Sequence, residues 1–147
     1  MSSDPYDLSR FLEAQAGCYA RVLAELGAGQ KASHWMWFIF PQVQGLGSSP
    51  MARRYALSGL AEAHAYLEHP TLGARLRECT RAVLAVKGRT AHEIFGSPDD
   101  LKLRSCLTLF AAAAAPGPGA DEHVFGEALG KYYGGEPDPR TLELVNA

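Results

Sequence analysis

The sequence predicts an all-α fold, and three observations lead to that prediction. Apolar residues recur at helical spacing, most regularly from Leu72 to Val86. No run of alternating apolar and polar residues is long enough to build a sheet. A capping residue followed by proline, a pair typical of helix starts, recurs along the chain, for example at Asp4-Pro5, Ser49-Pro50 and Ser97-Pro98. With 147 residues, we expect a single compact domain over residues 1–147, built from about seven to nine short helices.

The first third of the chain contains two or three of these helices. One follows Asp4-Pro5 and is broken or kinked at Gly17, and a second apolar face runs from Tyr19 to Leu26. The six apolar residues at positions 35–40 are ambiguous in period, but their surroundings favour a short helix. Positions 42–49, with two glycines, form a predicted loop.

The remaining elements are separated by glycine and proline. Helices are predicted from Ser49-Pro50 through Leu57, over Leu60–Glu68, over Leu72–Val86 and from Ser97-Pro98 to about Ala114. Thr90–Phe95 forms a short turn or helix, and Pro116–Ala120 a mobile loop. Asp121–Tyr133 and Pro139–Val145 are the last two predicted helices.

The composition of the chain argues against several classes of protein. The chain is 47% hydrophobic and 20% charged, with net charge -2, so it is globular but lacks the basic surface that favours nucleic-acid binding. The three cysteines lie far apart, without the ligand spacing of a zinc site. No apolar stretch is long enough for a membrane span, and no signal peptide is recognisable. These features predict a reduced, cytoplasmic protein with no metal site and no membrane partner.

The segment from Lys31 to Gln42 is the first candidate site. Lys31, Ser33 and His34 directly precede the aromatic run that contains Trp35 and Trp37, and Gln42 follows it. Titratable and polar groups beside large aromatic side chains are typical of small-molecule pockets. A lone histidine is more often a core or capping residue, and tryptophans are more often core than ligand clamps. Two tryptophans one residue apart cannot face the same way on a helix, so at least one should pack inward.

A second group of polar residues begins the helix after Ser97-Pro98. Asp99, Lys102 and Ser105 follow one stripe of that helix. The stripe is compatible with a cap and a surface ion pair, which stabilises little. It is also compatible with an acid and an amine presented where anions bind readily. Whether Arg54, Tyr55 and Glu62 join the site is left open by the sequence. Common nucleotide-loop, zinc-protease and serine-hydrolase motifs are absent from the sequence, so no cofactor is predicted.

Several of these segments together resemble a known family. Four segments closely resemble the bacterial domain of unknown function family 1810: the run from Lys31 to Gln42, Gly45-Leu-Gly47, Ile94-Phe95-Gly96 and Asp99-x-Leu-Lys102-x-x-Ser105. The resemblance extends from about Asp4 to Leu144 and implies a small, cytosolic, all-helical protein. The calpastatin label that some members carry does not suit it, because that inhibitor is disordered. Cys106 stands where relatives usually have a second serine.

A fainter similarity of layout connects the chain to the NADAR group, which cleaves N-glycosidic bonds of ADP-ribose adducts. It is a fold-level analogy, and no catalytic residue is carried over from it.

We therefore predict one pocket that binds a nucleotide or ADP-ribose-like small molecule. The expected ligand-binding residues are Lys31, Ser33, Trp35, Trp37, Gln42, Lys102 and Ser105, and the expected catalytic residues are His34 and Asp99. The leading hypothesis is a hydrolase or N-glycosidase, and the alternative is a sensor that binds a ligand or peptide without turnover. An acid free to act in the pocket would favour the enzyme. The sequence specifies neither the ligand nor the oligomeric state.

Overall fold

Helices provide the regular secondary structure of the computed structural model, which describes residues 4–114 and 123–146. The described residues contain ten helices, which confirms the all-α prediction and exceeds the predicted number by one. The aromatic run and Thr90–Phe95, both ambiguous in sequence, are each helical. The helices are α1 (Ser9–Gln15), α2 (Tyr19–Gly27), α3 (Met36–Ile39), α4 (Pro50–Arg54), α5 (Leu60–Glu68), α6 (Leu72–Ala85), α7 (Ala91–Phe95), α8 (Asp99–Ala114), α9 (Val124–Tyr133) and α10 (Pro139–Val145).

The helices predicted after Ser49-Pro50 and Ser97-Pro98 begin close to those pairs, at Pro50 and at Asp99. The Ser49 hydroxyl accepts the Ala52 amide at the start of α4, and Thr90 and Glu93 form a capping box on α7. The first start is displaced: Asp4 accepts amides, but α1 begins only at Ser9. The predicted loop Pro116–Ala120 and the predicted start at Asp121 lie outside the described residues.

Helix α8 occupies the centre of the molecule and packs against α5, α7, α9 and α10. Its Phe110 ring is fully buried, 5.4 Å from the Tyr66 ring and 5.8 Å from the Phe125 ring between centroids. The buried apolar side chains form one cluster, which includes the predicted apolar face of α6 from Leu72 to Val86. Burial of this cluster is the main source of stability.

The aromatic run enters this core from one side. Trp35 is 1% exposed and contacts the rings of Phe40 and Phe95, whereas Trp37 is half-buried. The two tryptophans therefore differ in environment, as expected for neighbours one residue apart. After the run, an isolated parallel bridge joins Val43 to Leu57 and fixes the loop that leads to α4. Within the described ranges, no helix is long and apolar enough to cross a membrane.

Candidate functional site

Glu25 on α2 holds the chain segment that precedes the aromatic run. Its carboxylate accepts the amides of Ala32 and Ser33 at 2.7 and 3.0 Å, the Ser33 hydroxyl at 2.5 Å and the Trp35 indole N–H at 2.9 Å. Burial opposes ionisation of this carboxyl, but the four hydrogen bonds prevail and lower its pKa to about 2. The ionised Glu25 carboxylate therefore fixes the conformation of the motif at neutral pH.

Two of the predicted ligand-binding residues are already hydrogen-bonded to Glu25. The Ser33 hydroxyl donates to Glu25, and the buried Trp35 donates its indole N–H to the same carboxylate. Neither side chain lines a described cavity. Their contacts position the neighbouring Lys31, and direct ligand binding by Ser33 or Trp35 stays a prediction.

Two lysines and one aspartate form the charged centre of the candidate site. Lys31 Nζ lies 2.9 Å from Asp99 Oδ2, and Lys102 Nζ lies 3.6 Å from Asp99 Oδ1. Each ammonium also stands over an indole ring, with Lys31 Nζ 5.1 Å from the Trp35 centroid and Lys102 Nζ 5.3 Å from the Trp37 centroid. Residues from both predicted groups are therefore in direct contact. With two cations on one carboxylate, this trio has a net charge of +1.

Three amides in the first turn of α8 already have acceptors within the protein. The Asp100 amide donates to the Gly96 carbonyl, and the Leu101 and Lys102 amides both donate to the Pro98 carbonyl. The Lys102 side chain, which is 26% exposed, offers a charged donor to an anion at this helix end. The indole N–H of Trp37 is buried and has no acceptor among the described residues.

Lys102 connects this charged centre to a cavity of about 470 Å³. The size is within the usual range of small-molecule sites. Three of the predicted residues, Gln42, Lys102 and Ser105, lie in its wall. The lining is contributed by the loop before α4, by α4 itself, by the start of α8 and by the start of α10: Gln42, Leu46, Gly47, Ser48, Ser49, Ala52, Pro98, Leu101, Lys102, Ser105, Asp138 and Arg140.

Asp138 supplies the acidic group of this cavity. One of its oxygens, Oδ2, accepts the Ser105 hydroxyl at 3.0 Å, the Thr141 amide at 3.1 Å and the Thr141 hydroxyl at 2.5 Å. These bonds make Asp138 the N-cap of α10. Its other oxygen, Oδ1, has no hydrogen-bond donor among the residues that the structure describes.

Helix α8 also fixes the chain just before Asp138. Arg104 donates to the carbonyls of Glu136 and Pro137 at 3.0 and 2.9 Å, and the Thr108 hydroxyl accepts the Asp138 amide at 2.8 Å. The acidic group is therefore attached to the central helix of the fold. Such attachment favours a preorganised site.

The other predicted or open residues lie apart from this cavity. His34 is exposed, and no described residue hydrogen-bonds to or ion-pairs with its imidazole. Glu62 is 4% exposed and pairs with Arg10 at 2.9 Å. Arg54 donates to the Tyr55 hydroxyl at 3.2 Å. None of these residues is part of the cavity wall, and the catalytic role of His34 stays a prediction.

Sequence reasoning missed Glu25, Asp138 and Arg140. Asp138-Pro139 is itself a cap-plus-proline pair, so the helix start was visible, but its position beside Ser105 depends on a long-range contact. Glu25 carries no local signal, since it is one of several charged residues on an amphipathic helix. Among the described residues, no group of three or more histidine, cysteine or acidic side chains is placed to hold a metal ion.

A second cavity, of about 540 Å³, lies between the N-terminal segment and the end of α5. Its polar wall includes His69, whose Nδ1 accepts the Thr71 and Leu72 amides. None of the predicted site residues lines it. Of its described acids, Asp4 already accepts the Leu8 and Ser9 amides, and Glu68 contacts His64. The cavity at Lys102 is therefore the better candidate site.

Comparisons with known proteins agree with this structure. The chain is similar to the conserved hypothetical protein Rv1873 from Mycobacterium tuberculosis, whose crystal structure matches it with 55% sequence identity and a TM-score of 0.92. The match covers 98% of this chain and 99% of that chain. No curated protein matches. The family model described as protein of unknown function (DUF1810) matches residues 5–145. Because that match spans nearly the whole sequence, the chain belongs to the DUF1810 family.

Proposed function

We propose that this protein binds a small, anionic, nucleotide-like molecule, of which ADP-ribose is an example, in the cavity at Lys102. The observation that carries the proposal is the position of Lys102, a residue of the cavity wall whose ammonium lies over the Trp37 ring. Among the described residues, the one carboxylate that this ammonium pairs with is Asp99, which it shares with Lys31. An ammonium that is incompletely neutralised and partly desolvated is suited to a phosphate oxygen.

The charge of the cavity wall supports an anionic ligand. Its charged side chains are Lys102, Arg140 and Asp138, which sum to +1. Arg140 is paired with Glu143 at 3.2 Å, but its side chain is 60% exposed, so this ion pair is weak and exchangeable. A phosphate or pyrophosphate would receive two cations from different helices, α8 and α10.

The uncharged part of the wall supports a ligand that also has a flat apolar portion. Leu46, Ala52, Pro98 and Leu101 contribute apolar surface, and Leu101 is 57% exposed, which is unusual for a leucine in this protein. Apolar surface beside polar groups that fix the orientation of a ligand is typical of small-molecule sites. A nucleotide combines a base with phosphates and matches both properties of the wall.

Binding without turnover is the form of this proposal that the contacts favour. Asp99 is held between two ammonium groups, with Oδ2 close to Lys31 and Oδ1 close to Lys102, so each of its oxygens already has a partner within the protein. Among the described residues, no histidine lines the cavity. Ligand recognition needs only complementarity, which the cations and the apolar surface of the wall would supply to a nucleotide.

A hydrolase or N-glycosidase is the second candidate, and Asp138 is the observation that favours it. Glycosidic cleavage proceeds through a positively charged sugar, which a carboxylate in contact with the ligand stabilises. Asp138 lines the cavity and has one oxygen without a described partner. Incubation with a nucleotide N-glycoside, followed by chromatography of the released base, tests turnover. Release by wild type that is lost in Asp138→Asn and kept in Glu143→Gln would favour the enzyme.

Calorimetric titration of wild type and Lys102→Ala with ADP-ribose, ADP and AMP tests the binding proposal. Because a charge-assisted hydrogen bond contributes about 1.5–3 kcal/mol, we expect Lys102→Ala to weaken binding about tenfold or more. The exposed Lys87 provides the control, and Lys87→Ala should bind as wild type does. Equal affinity of Lys102→Ala and wild type, or the absence of binding by wild type, would refute the proposal.

A further inference from the structure

We infer that Asp138 selects the ligand by accepting hydrogen bonds from ribose hydroxyls, so that the site prefers ribonucleotides to their deoxy analogues. The inference rests on the proposed function, because it assumes that the anionic part of the ligand meets Lys102. It adds the residue that recognises the sugar.

The bonding of the Asp138 carboxylate provides the first step. Oδ2 already accepts three hydrogen bonds, from the Ser105 hydroxyl and from the amide and hydroxyl of Thr141. Oδ1 accepts none from the described residues. A carboxylate oxygen can accept about two hydrogen bonds, so Oδ1 has capacity for both hydroxyls of one ribose.

The cations around Asp138 provide the second step. Lys102 pairs with Asp99, and Arg140 pairs with Glu143; no described cation forms an ion pair with Asp138. No described residue therefore neutralises the charge of Asp138. Because Lys102 and Arg140 lie in the same wall and give it a net charge of +1, the wall as a whole favours an anionic ligand. The part of such a ligand that suits Asp138 is a neutral hydroxyl, which can donate a hydrogen bond to the carboxylate.

The two kinds of group lie in one cavity, which defines the ligand class. Lys102 and Arg140 offer donors to an anion, and Asp138 offers an acceptor to hydroxyls. A bare anion would leave Asp138 unused, and a deoxyribonucleotide would leave its Oδ1 less satisfied. A site built to hydrogen-bond a hydroxyl discriminates strongly against an analogue that lacks it.

Asp138→Asn is the variant that isolates this role. Asparagine is as good an N-cap as aspartate, and its amide oxygen can replace Oδ2 toward Ser105 and Thr141. Its NH₂ group then replaces Oδ1, which changes the unpartnered acceptor of this cavity-lining residue into a donor. The fold should therefore be retained while hydroxyl recognition is lost.

The experiment compares AMP with dideoxy-AMP, which lacks both ribose hydroxyls, by calorimetric titration of three proteins. Wild type should prefer AMP about tenfold or more, as expected for charge-assisted hydrogen bonds. Asp138→Asn should lose this preference and bind the two ligands about equally. Glu143→Gln removes the same charge beside Arg140 without lying in the cavity wall, and it should keep the wild-type preference.

The outcomes separate this inference from the proposed function. Equal binding of AMP and dideoxy-AMP by wild type, or an unchanged preference in Asp138→Asn, overturns the role of Asp138 and leaves Lys102-dependent binding intact. AMP binding that Lys102→Ala does not weaken overturns the proposed function. The wild-type comparison requires no variant, so it tests the inference even where Asp138→Asn fails to fold.

Discussion

Lys31 is a residue in which burial and charge conflict. Its side chain is 8% exposed, and an ammonium is seldom buried without a partner. Asp99 provides that partner at 2.9 Å, and the Trp35 ring provides a second favourable contact. Lys102 approaches the same carboxylate from the more exposed side, with 26% of its side chain exposed. The two lysines therefore depend on Asp99 to different degrees.

We expect Asp99→Asn to destabilise the protein by about 3 kcal/mol, because removal of one partner from a buried ion pair leaves an uncompensated charge. Lys102→Ala should cost less than about 1 kcal/mol, since a partly exposed pair contributes little and Lys31 keeps its partner. Urea denaturation of both variants measures the difference. A smaller loss in Asp99→Asn than in Lys102→Ala would contradict the burial of Lys31.

The residues of the site could be predicted only where polar and aromatic side chains lie close together in the sequence. Lys31, Trp35 and Trp37 are neighbours in the chain, and Asp99 and Lys102 share a helical turn, so each group was recognisable from spacing. The sequence predicts a single pocket for both groups, and in the structure Asp99 contacts Lys31 of the first group and Lys102 of the second. Asp138 and Arg140 reach the cavity through the packing of α10 on α8, which no local pattern specifies.

At the scale of the elements, the junction of α5 and α6 is unusually close. A Cβ atom on Gly73 would lie 2.1 Å from the Leu67 carbonyl oxygen, a backbone atom that cannot move away cheaply. Glycine in a helix normally reduces stability relative to alanine, so its presence here results from the packing. By contrast, a Cβ on Gly130 in α9 would have nothing within 4 Å.

These two glycines predict opposite effects of the same substitution. Gly73→Ala should destabilise the protein by about 2 kcal/mol or more, because the helices must separate to admit the methyl group. Gly130→Ala should stabilise it by about 0.5–1 kcal/mol through the higher helix propensity of alanine. Thermal denaturation monitored by circular dichroism compares the two variants. Stabilisation by both substitutions would show that α5 and α6 are not in close backbone contact.

The elements themselves were largely predictable, because capping groups and apolar periodicity are local signals. Ser49 caps its helix as the sequence predicts, and Thr90–Phe95, predicted as a short turn or helix, contains the helix α7. The start of α1 was misplaced because Asp7 has a φ of 53°, which a helix interior does not accept. The helix from Met36 to Ile39 has four residues, which is too short for periodicity to reveal.

At the scale of the whole molecule, ionisable groups with shifted pKa values limit stability at both ends of the pH range. On the acid side, burial opposes ionisation of Glu25, but its four hydrogen bonds lower the pKa to about 2. A carboxyl with a lowered pKa contributes stability above its unfolded pKa, near 4.3, and the contribution is lost as the pH falls toward 2. Backbone hydrogen bonds lower the pKa of Glu93 in the same direction.

On the alkaline side, buried thiols and phenols act in the opposite sense. Burial raises the pKa of Cys79 to about 12 and also raises the pKa values of Cys106 and Tyr66. These groups stay protonated in the folded protein while the unfolded chain releases its protons. Their contribution is complete below the unfolded pKa values, roughly 8.5 for cysteine and 10 for tyrosine, and it is lost as the pH rises above them.

We therefore expect the free energy of unfolding to be greatest between about pH 5 and pH 8 and to fall on both sides.

Glu25→Gln should lower stability at neutral pH and flatten the acid decline between about pH 4.5 and pH 2, because the carboxylate that holds Ser33 and Trp35 is removed. The exposed Glu127 offers a matched control, and Glu127→Gln should keep the wild-type profile. Urea denaturation at a series of pH values, followed by tryptophan fluorescence, measures all three proteins. Trp35 donates to Glu25, so the fluorescence of the folded wild type should also change over the acid decline. A Glu25→Gln profile parallel to that of wild type would show that this carboxylate does not connect the motif to the rest of the molecule.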